Sequence, residues 1–268
     1  MNVFAGLPIP EPLAWLMATL AGLFALPYVA GPILVRFKHK TKRSPTLIAF
    51  DPDERPAPAA VQEFLDEAEA ALWGCGFEVL GHVAMPDLVP NVKAIFVLLA
   101  RPESNDNAIA VAAFAEGGSA AMKKFYVEFA TDYADGFELC TNNTADESAF
   151  CPLPHKKVFQ SDFLTDAEDL WRFHERATKE FGTGPKRPSP ARHTALDRLR
   201  EGLLREQTNQ VAVGWLWYDE DAEAFRPTWK GACLMTWKLC WPVSAIRRSA
   251  RRRQARRLLR EWDMAEMP

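Results

Sequence analysis

The stretch FEVLGHVAMPDLVPNVKAIFVLLARPESNDNAIAVAAFAEGGSAAMKKFYVEFATDYADGFELCT, residues 77–141, decides the architecture. Five runs in it, Phe77–Met85, Val92–Arg101, Ala108–Glu116, Lys123–Tyr133 and Phe137–Thr141, are rich in Val, Ile, Phe and Tyr, which fit a pleated, half-buried surface. Short turn-forming pieces separate them: Asp87–Asn91, Pro102–Asn107 and Gly117-Gly118-Ser119. Asp135-Gly136 is the sharpest hairpin signal, because a primed turn needs positive φ. A parallel crossover takes a dozen or more residues, so these connections predict antiparallel neighbours and a meander of about five strands.

A helix is predicted on each side of this block. From Pro58 to Trp73, the residues Val61, Phe64, Leu65, Ala68 and Leu72 share one face, and Gly74 and Gly76 end the pattern. A second helix starts at Asp166, with Thr165 and Glu168 spaced as a capping box. Its apolar stripe is Ala167, Leu170, Trp171, His174, Ala177 and Phe181. Residues 58–184 therefore read as an α+β domain with both helices on one sheet face. By fold analogy with helix-grip and sensor-type domains, such a layer can enclose a small-molecule pocket. His174 is the pocket candidate, because burial there would perturb its pKa, and a hydrogen-bonded core histidine is the commoner reading of the same position. Glu128 and Asp132 alternate along one strand, and Glu138 lies on its hairpin partner. Those carboxylates fit acid–base work or a solvated sheet face equally well.

Upstream, Leu13–Val35 is a run of 23 residues without a charge. As a helix it spans about 34 Å, enough for a hydrocarbon core of about 30 Å. Arg36, Lys38, Lys40, Lys42 and Arg43 follow at once. No Lys or Arg precedes the run, and a basic stop-transfer block closes it, which favours an anchor over a cleaved signal peptide. The cations predict residues 1–12 outside and everything after Val35 in the cytoplasm of a single-pass inner- or plasma-membrane protein. Residues 36–57, with Pro45, Pro52 and Pro56, read as a linker holding one short apolar run, Leu47–Phe50.

Downstream, residues 185–230 read as a linker, a helix from about Pro190 to Gln210 and a hairpin, Val211–Tyr218 with Phe225–Trp229, around the acidic turn Asp219–Glu223. Ser189-Pro190 reads as helix cap and first turn. Residues 231–268 read as an interfacial amphipathic basic helix bent at Pro242. Trp237 and Trp241 would sit at headgroup level, and Arg247, Arg248, Arg251 and Arg252 on anionic lipid. The competing arrangement docks that helix on the body. Charge permits this, because residues 44–246 carry 19 basic and 31 acidic side chains, a net of −12, between clusters of five and eight cations.

The segment Phe225-Arg226-Pro227-Thr228-Trp229-Lys230-Gly231-Ala232 with its preceding helix resembles the wing strand of winged-helix DNA-binding domains over about twenty residues. The resemblance implies a membrane-tethered regulator, with Arg198, Arg200 and Arg205 as its candidate basic stripe. It departs from the family in lacking a three-helix set ahead of the hairpin and in its acidic turn. The acidic middle argues against nucleic acid binding over the whole surface.

The 268 residues are 48% apolar and 25% charged, which excludes wholesale disorder. Five cysteines at unrelated spacings do not form a disulfide framework. Cys140, Cys151 and His155 match no zinc spacing, so no metal is expected. No G-x-G-x-x-G, Walker A, H-E-x-x-H or G-x-S-x-G is present, and no cofactor is expected. The expectation is a binding or interaction module held on the anionic cytoplasmic leaflet, with a lipid or protein partner. An enzyme acting on a lipid or small apolar substrate is the alternative.

Overall fold

Branched and aromatic residues build one broad sheet, and the helices on its two faces differ in how tightly they close on it. The computed structural model describes residues 11–54, 57–89, 92–115 and 123–264. The Gly117-Gly118-Ser119 turn, Pro90 and Asn91 of the Asp87–Asn91 turn, and most of residues 1–12 lie outside them. The chain is α+β, with six α-helices and two sheets among the described residues. Its N-terminal helix α1 (Glu11–Lys38) is apolar.

The larger sheet has the order β2-β3-β4-β5-β6-β7-β8. Its strands are β2 (Ile48–Phe50), β3 (Glu78–Val89), β4 (Val92–Arg101), β5 (Asp106–Ala115), β6 (Lys123–Asp132), β7 (Glu138–Asn142) and β8 (Lys156–Gln160). Neighbours are antiparallel from β2 to β7, and β8 alone runs parallel to β7. Between β6 and β7 the chain reverses at Gly136, whose φ of 87° suits a residue without a Cβ. The Asp135 carboxylate accepts the Phe137 N–H at 2.9 Å inside the same turn.

Side-chain alternation gives the sheet two faces. On one, α2 (Ala59–Gly74) and α3 (Ala167–Phe181) bury Val61, Leu65, Leu72, Leu170, Trp171 and Phe173 against Val97, Leu99, Ala110 and Phe129. The cap of α3 falls one residue later than the capping box implies. Asp166 is the N-cap, and its carboxylate accepts the N–H groups of Glu168 and Asp169 at 2.8 and 3.2 Å. An aspartate there satisfies two orphan donors and adds negative charge at the positive helix end.

The same core extends to the C-terminal region, which is two helices rather than one. These are α5 (Trp229–Leu239), capped by Thr228, and α6 (Val243–Glu261). Ala255, Leu258, Leu259 and Trp262 of α6 are buried in the α3-side core. The Trp262 ring sits 4.9 Å from that of Phe173, and its indole N–H donates to Glu180.

Helix α4 (Ala195–Ala212) covers the other sheet face, preceded by a short 3-10 turn at Arg192–Thr194. Ser189 does not cap it. Its backbone N–H donates to Asn105 Oδ1 at 3.3 Å, so residues 185–190 are stitched to the strand ends instead of hanging free. Lys186 contributes by pairing with both oxygens of buried Asp106, at 2.8 and 2.7 Å. Residues 36–57 are likewise not a free linker. Strand β1 (Thr41–Lys42) joins β10 (Ala224–Pro227) and β9 (Leu216–Asp219) in a second, antiparallel sheet, and β2 pairs with β3.

Candidate functional site

The three carboxylates singled out on β6 and β7 converge. Glu128 and Asp132 of β6 and Glu138 of β7 line one end of a cleft of about 540 Å³ between α4 and the sheet. Leu80, Phe96, Leu98, Ile109 and Val111 form its apolar floor, and Leu199 and Leu203 of α4 its roof. Those leucines are only part-buried, whereas the leucines of α2 and α3 on the opposite face are almost wholly buried. Helix α4 thus packs on this face less tightly, through Ala195, Leu196, Leu199 and Leu203, and charged contacts supplement that seat.

The charged contacts are explicit. Arg198 reaches Asp132 Oδ2 at 3.4 Å, and Arg205 reaches Asp132 Oδ1 at 3.3 Å and Glu138 Oε2 at 3.5 Å. Lys156, from β8, pairs with Glu138 Oε1 at 2.8 Å and lies 3.8 Å from Glu206 of α4. Glu128 takes no part in these ion pairs. Its Oε2 accepts from Asn142 Nδ2 at 2.9 Å.

These environments push the carboxyls apart. Burial raises the Glu128 carboxyl above its ordinary range, opposed only in part by Lys156 and by the Asn142 amide. Burial acts on Glu138 in the same sense. There the Lys156 ammonium, the Cys140 thiol and Arg205 prevail and hold the carboxyl below the usual range. Lys156 itself is raised: burial disfavours its charge, but the surrounding acids outweigh burial. Tyr126, beside Glu128 on the same face, is raised by burial and then by Glu128 and Asp146. The site thus holds a strong ion pair, Lys156–Glu138, next to a carboxyl biased toward its neutral form.

His174 does not line this cleft. It points into the opposite layer, fully buried, with its ring 5.6 Å from Phe129 and 5.8 Å from Trp171. Its two nitrogens lie 2.9 Å from Thr131 Oγ1 and 2.9 Å from Thr141 Oγ1. Burial lowers its pKa to about 3. It is a hydrogen-bonded core residue, and the pocket formed on the other face because α4, not α3, leaves a gap.

The basic ends are also accounted for. Arg36 is cupped by Phe37, Trp217 and Trp229, its guanidinium 6.0, 5.7 and 6.0 Å from their ring centroids. Arg43 lies over Tyr218 at 5.5 Å, while Lys38 and Lys40 are exposed and Lys42 falls in β1. On α6, Arg247 and Arg251 pair with Glu147, and Arg252 grips Asp162 at 2.8 and 2.7 Å, so these three face protein carboxylates. Arg248 is exposed. Trp237 and Trp241 pack beside α1. The Trp237 indole donates to the Tyr28 carbonyl at 2.9 Å, the Tyr28 hydroxyl donates to the Trp241 carbonyl at 2.6 Å, and Trp241 meets Phe24 edge-on at 5.8 Å.

Two further groups are drawn to other partners. Among the described residues no set of three His, Cys, Asp or Glu could hold a metal ion. Cys140 donates to Glu138, and His155 meets Asn209 of α4. Arg198 and Arg205 are engaged by the cleft carboxylates, and Arg200 by Asp197, which leaves little of the basic stripe that a winged-helix reader would need. Sequence reading missed Lys156 and Glu206 as site residues, and named Arg198 and Arg205 for a nucleic-acid stripe and not for this cleft. The signal available was the Glu128, Asp132 and Glu138 alternation, which marks a face but not what covers it.

No protein-family model matches the chain, and comparison with curated proteins and with solved structures gives no match.

Proposed function

We propose that this chain is a single-pass membrane-anchored protein whose α+β body is a binding module held at the bilayer surface, with the cleft beneath α4 as its binding site. The observation that carries this reading is the bareness of α1. Every residue from Glu11 to Pro27 is exposed, and the helix meets the body only from about Phe24 onward. It is the one helix among the described residues long and apolar enough to cross a membrane. The bare part covers about 26 Å at 1.5 Å per residue, close to a hydrocarbon thickness. A buried core helix would not leave Trp15, Leu20, Leu23 and Leu26 more than half exposed.

The cations after Val35 favour a cytoplasmic body. Helix α5 runs antiparallel to the end of α1, from Phe37 beside Trp229 to Phe24 beside Trp241. In this reading Trp237, Leu239 and Trp241, all exposed, would lie where α1 enters the anionic leaflet. The convergent carboxylates favour an acid–base enzyme on a small apolar substrate as the second reading. Such an enzyme would lose turnover in Glu128→Gln while still binding substrate.

The test is accessibility in intact cells, using a cysteine-free background with single cysteines at Glu11 and at exposed Glu103. A membrane-impermeant maleimide should label Glu11→Cys and spare Glu103→Cys until the cells are opened. Labelling of both positions in intact cells, or release of the chain by alkaline carbonate, refutes the anchor.

A further inference from the structure

The cleft beneath α4 has a polarity that specifies what fits it. Its long axis passes from an apolar end, floored by Leu80, Phe96 and Leu98, to the carboxylates of β6 and β7. Of the four cations that line the cleft, Lys156 is engaged by Glu138 and Arg198 and Arg205 by Asp132, while Arg187 lines it as well; against these four the lining sets five carboxylates, those of Glu128, Asp132, Glu138, Glu201 and Glu206. An anionic head group would meet more carboxylates than cations there. Glu128 differs, because its carboxylate lines the cavity and receives one amide hydrogen bond, from Asn142, but belongs to none of the ion pairs. Its burial is offset only in part by Lys156 and the Asn142 amide, so it gains from a partner that brings its own positive charge and N–H donors.

We propose that the cleft binds a small amphipathic amine, its ammonium paired with Glu128 and its apolar body lying against Leu98, Ile109 and Leu203. The inference rests on the reading of the cleft as a binding site and adds the chemical class of its ligand. The cavity, at about 540 Å³, falls within the range usual for small-molecule sites. Burial makes the unpaired Glu128 carboxylate costly, and an ammonium at hydrogen-bond distance removes that cost. Tyr126, whose side chain also lines the cleft next to Glu128, supplies an aromatic wall for the apolar body.

The experiment uses the full chain in nanodiscs, with empty nanodiscs subtracted, and three probes of one shape: phenethylamine, 2-phenylethanol and 3-phenylpropionate. Affinities are measured by calorimetry or ligand-observed NMR, for the wild type, Glu128→Gln and Leu203→Trp, which fills the apolar end. The amine should bind at least tenfold more tightly than the alcohol or the carboxylate, because a charge-assisted hydrogen bond is worth a factor of ten or more. Glu128→Gln should erase that preference and leave the alcohol within about twofold, which also shows that the variant is folded. Leu203→Trp should weaken all three. Equal binding of amine and alcohol, or an amine preference that survives Glu128→Gln, overturns the proposed ligand class and leaves the cleft as a binding site. Absence of binding by all three, or binding indifferent to Leu203→Trp, overturns both.

Discussion

Acidification should destabilise the body through His174, whose buried hydrogen bonds suit the neutral imidazole. The Thr131 hydroxyl donates to the Asp106 carboxylate, so its oxygen can only accept from His174 Nε2. The other ring nitrogen, Nδ1, then carries the lone pair and accepts from the Thr141 hydroxyl. Every member of this buried set is satisfied with imidazole neutral, and protonation at Nδ1 would set a proton against the Thr141 donor. Asp106, 3.9 Å away, favours the charged ring, but it is neutralised by Lys186, and burial dominates. The folded pKa of about 3 lies below the ordinary 6.5 of the unfolded chain. Between those values the unfolded state holds the extra proton, so stability is full above about pH 6.5 and falls as pH drops toward 3. At pH 5 the loss is roughly 2 kcal/mol, 1.5 units at 1.36 kcal/mol each. The assay is urea unfolding of the full chain in nanodiscs at pH 7, 6 and 5, following tryptophan emission, for wild type and His174→Gln. Glutamine keeps a donor and an acceptor without a titrating proton. The stability difference between the two proteins should shrink by about 2 kcal/mol from pH 7 to pH 5. A difference constant to within about 0.5 kcal/mol, or an NMR titration placing His174 near 6.5, refutes the argument.

Leu258→Ala, which empties a site where α6 meets the α3-side core, should cost about 2–4 kcal/mol in the same unfolding measurement. Gly231→Ala should cost about 1–3 kcal/mol, because a Cβ there collides with the Trp215 carbonyl, and backbone cannot turn aside as a side chain does. Gly31→Leu meets Thr236 of α5 and should raise the cleavage rate of α5 by added protease while leaving the chain in the membrane fraction. Replacing Arg198 and Arg205 together with alanine removes the charged bridges holding α4 over the cleft, so hydrogen exchange in Ala195–Ala212 should accelerate severalfold with little change in global stability.

Much of the sheet was legible because its residues obey local rules. The turn at Asp135-Gly136 and the dense Val, Ile and Phe content of residues 92–115 needed no distant partner to be read. Helices α2 and α3 carried their apolar stripes openly. What escaped depends on contacts far apart in sequence. Strand β8, Lys-Lys-Val-Phe-Gln, is too short and polar to read as a strand until β7 lies beside it. Strand β2 sits among prolines, and β1 is two lysine-block residues that only β10 makes into a strand. The cleft followed the same logic. Glu128, Asp132 and Glu138 marked a polar face, but only Arg198 and Arg205, some 70 residues on, turn that face into the wall of a cavity. His174 left two readings open, pocket or core, because an apolar stripe reports burial without saying whether a helix seals a core or roofs a gap. The arginines of α6 posed a choice between lipid and protein that composition cannot make, and Glu147 and Asp162 engage three of them.

The burial of Trp262 and Leu259 beneath α3 has a consequence for how the protein is made. The core between α3 and α6 closes through contacts such as Trp262 with Glu180, 82 residues apart. While the ribosome is still producing α4, α5 and α6, α3 has no cover for Phe173, and the sheet waits half-dressed. Helix α1 would by then have left the tunnel, so under the proposed anchoring the chain would be held before its core closes. Chains stalled or clipped before α6 would lack the Trp262 cover over Phe173 and Phe181, a ready handle for chaperones and quality-control proteases.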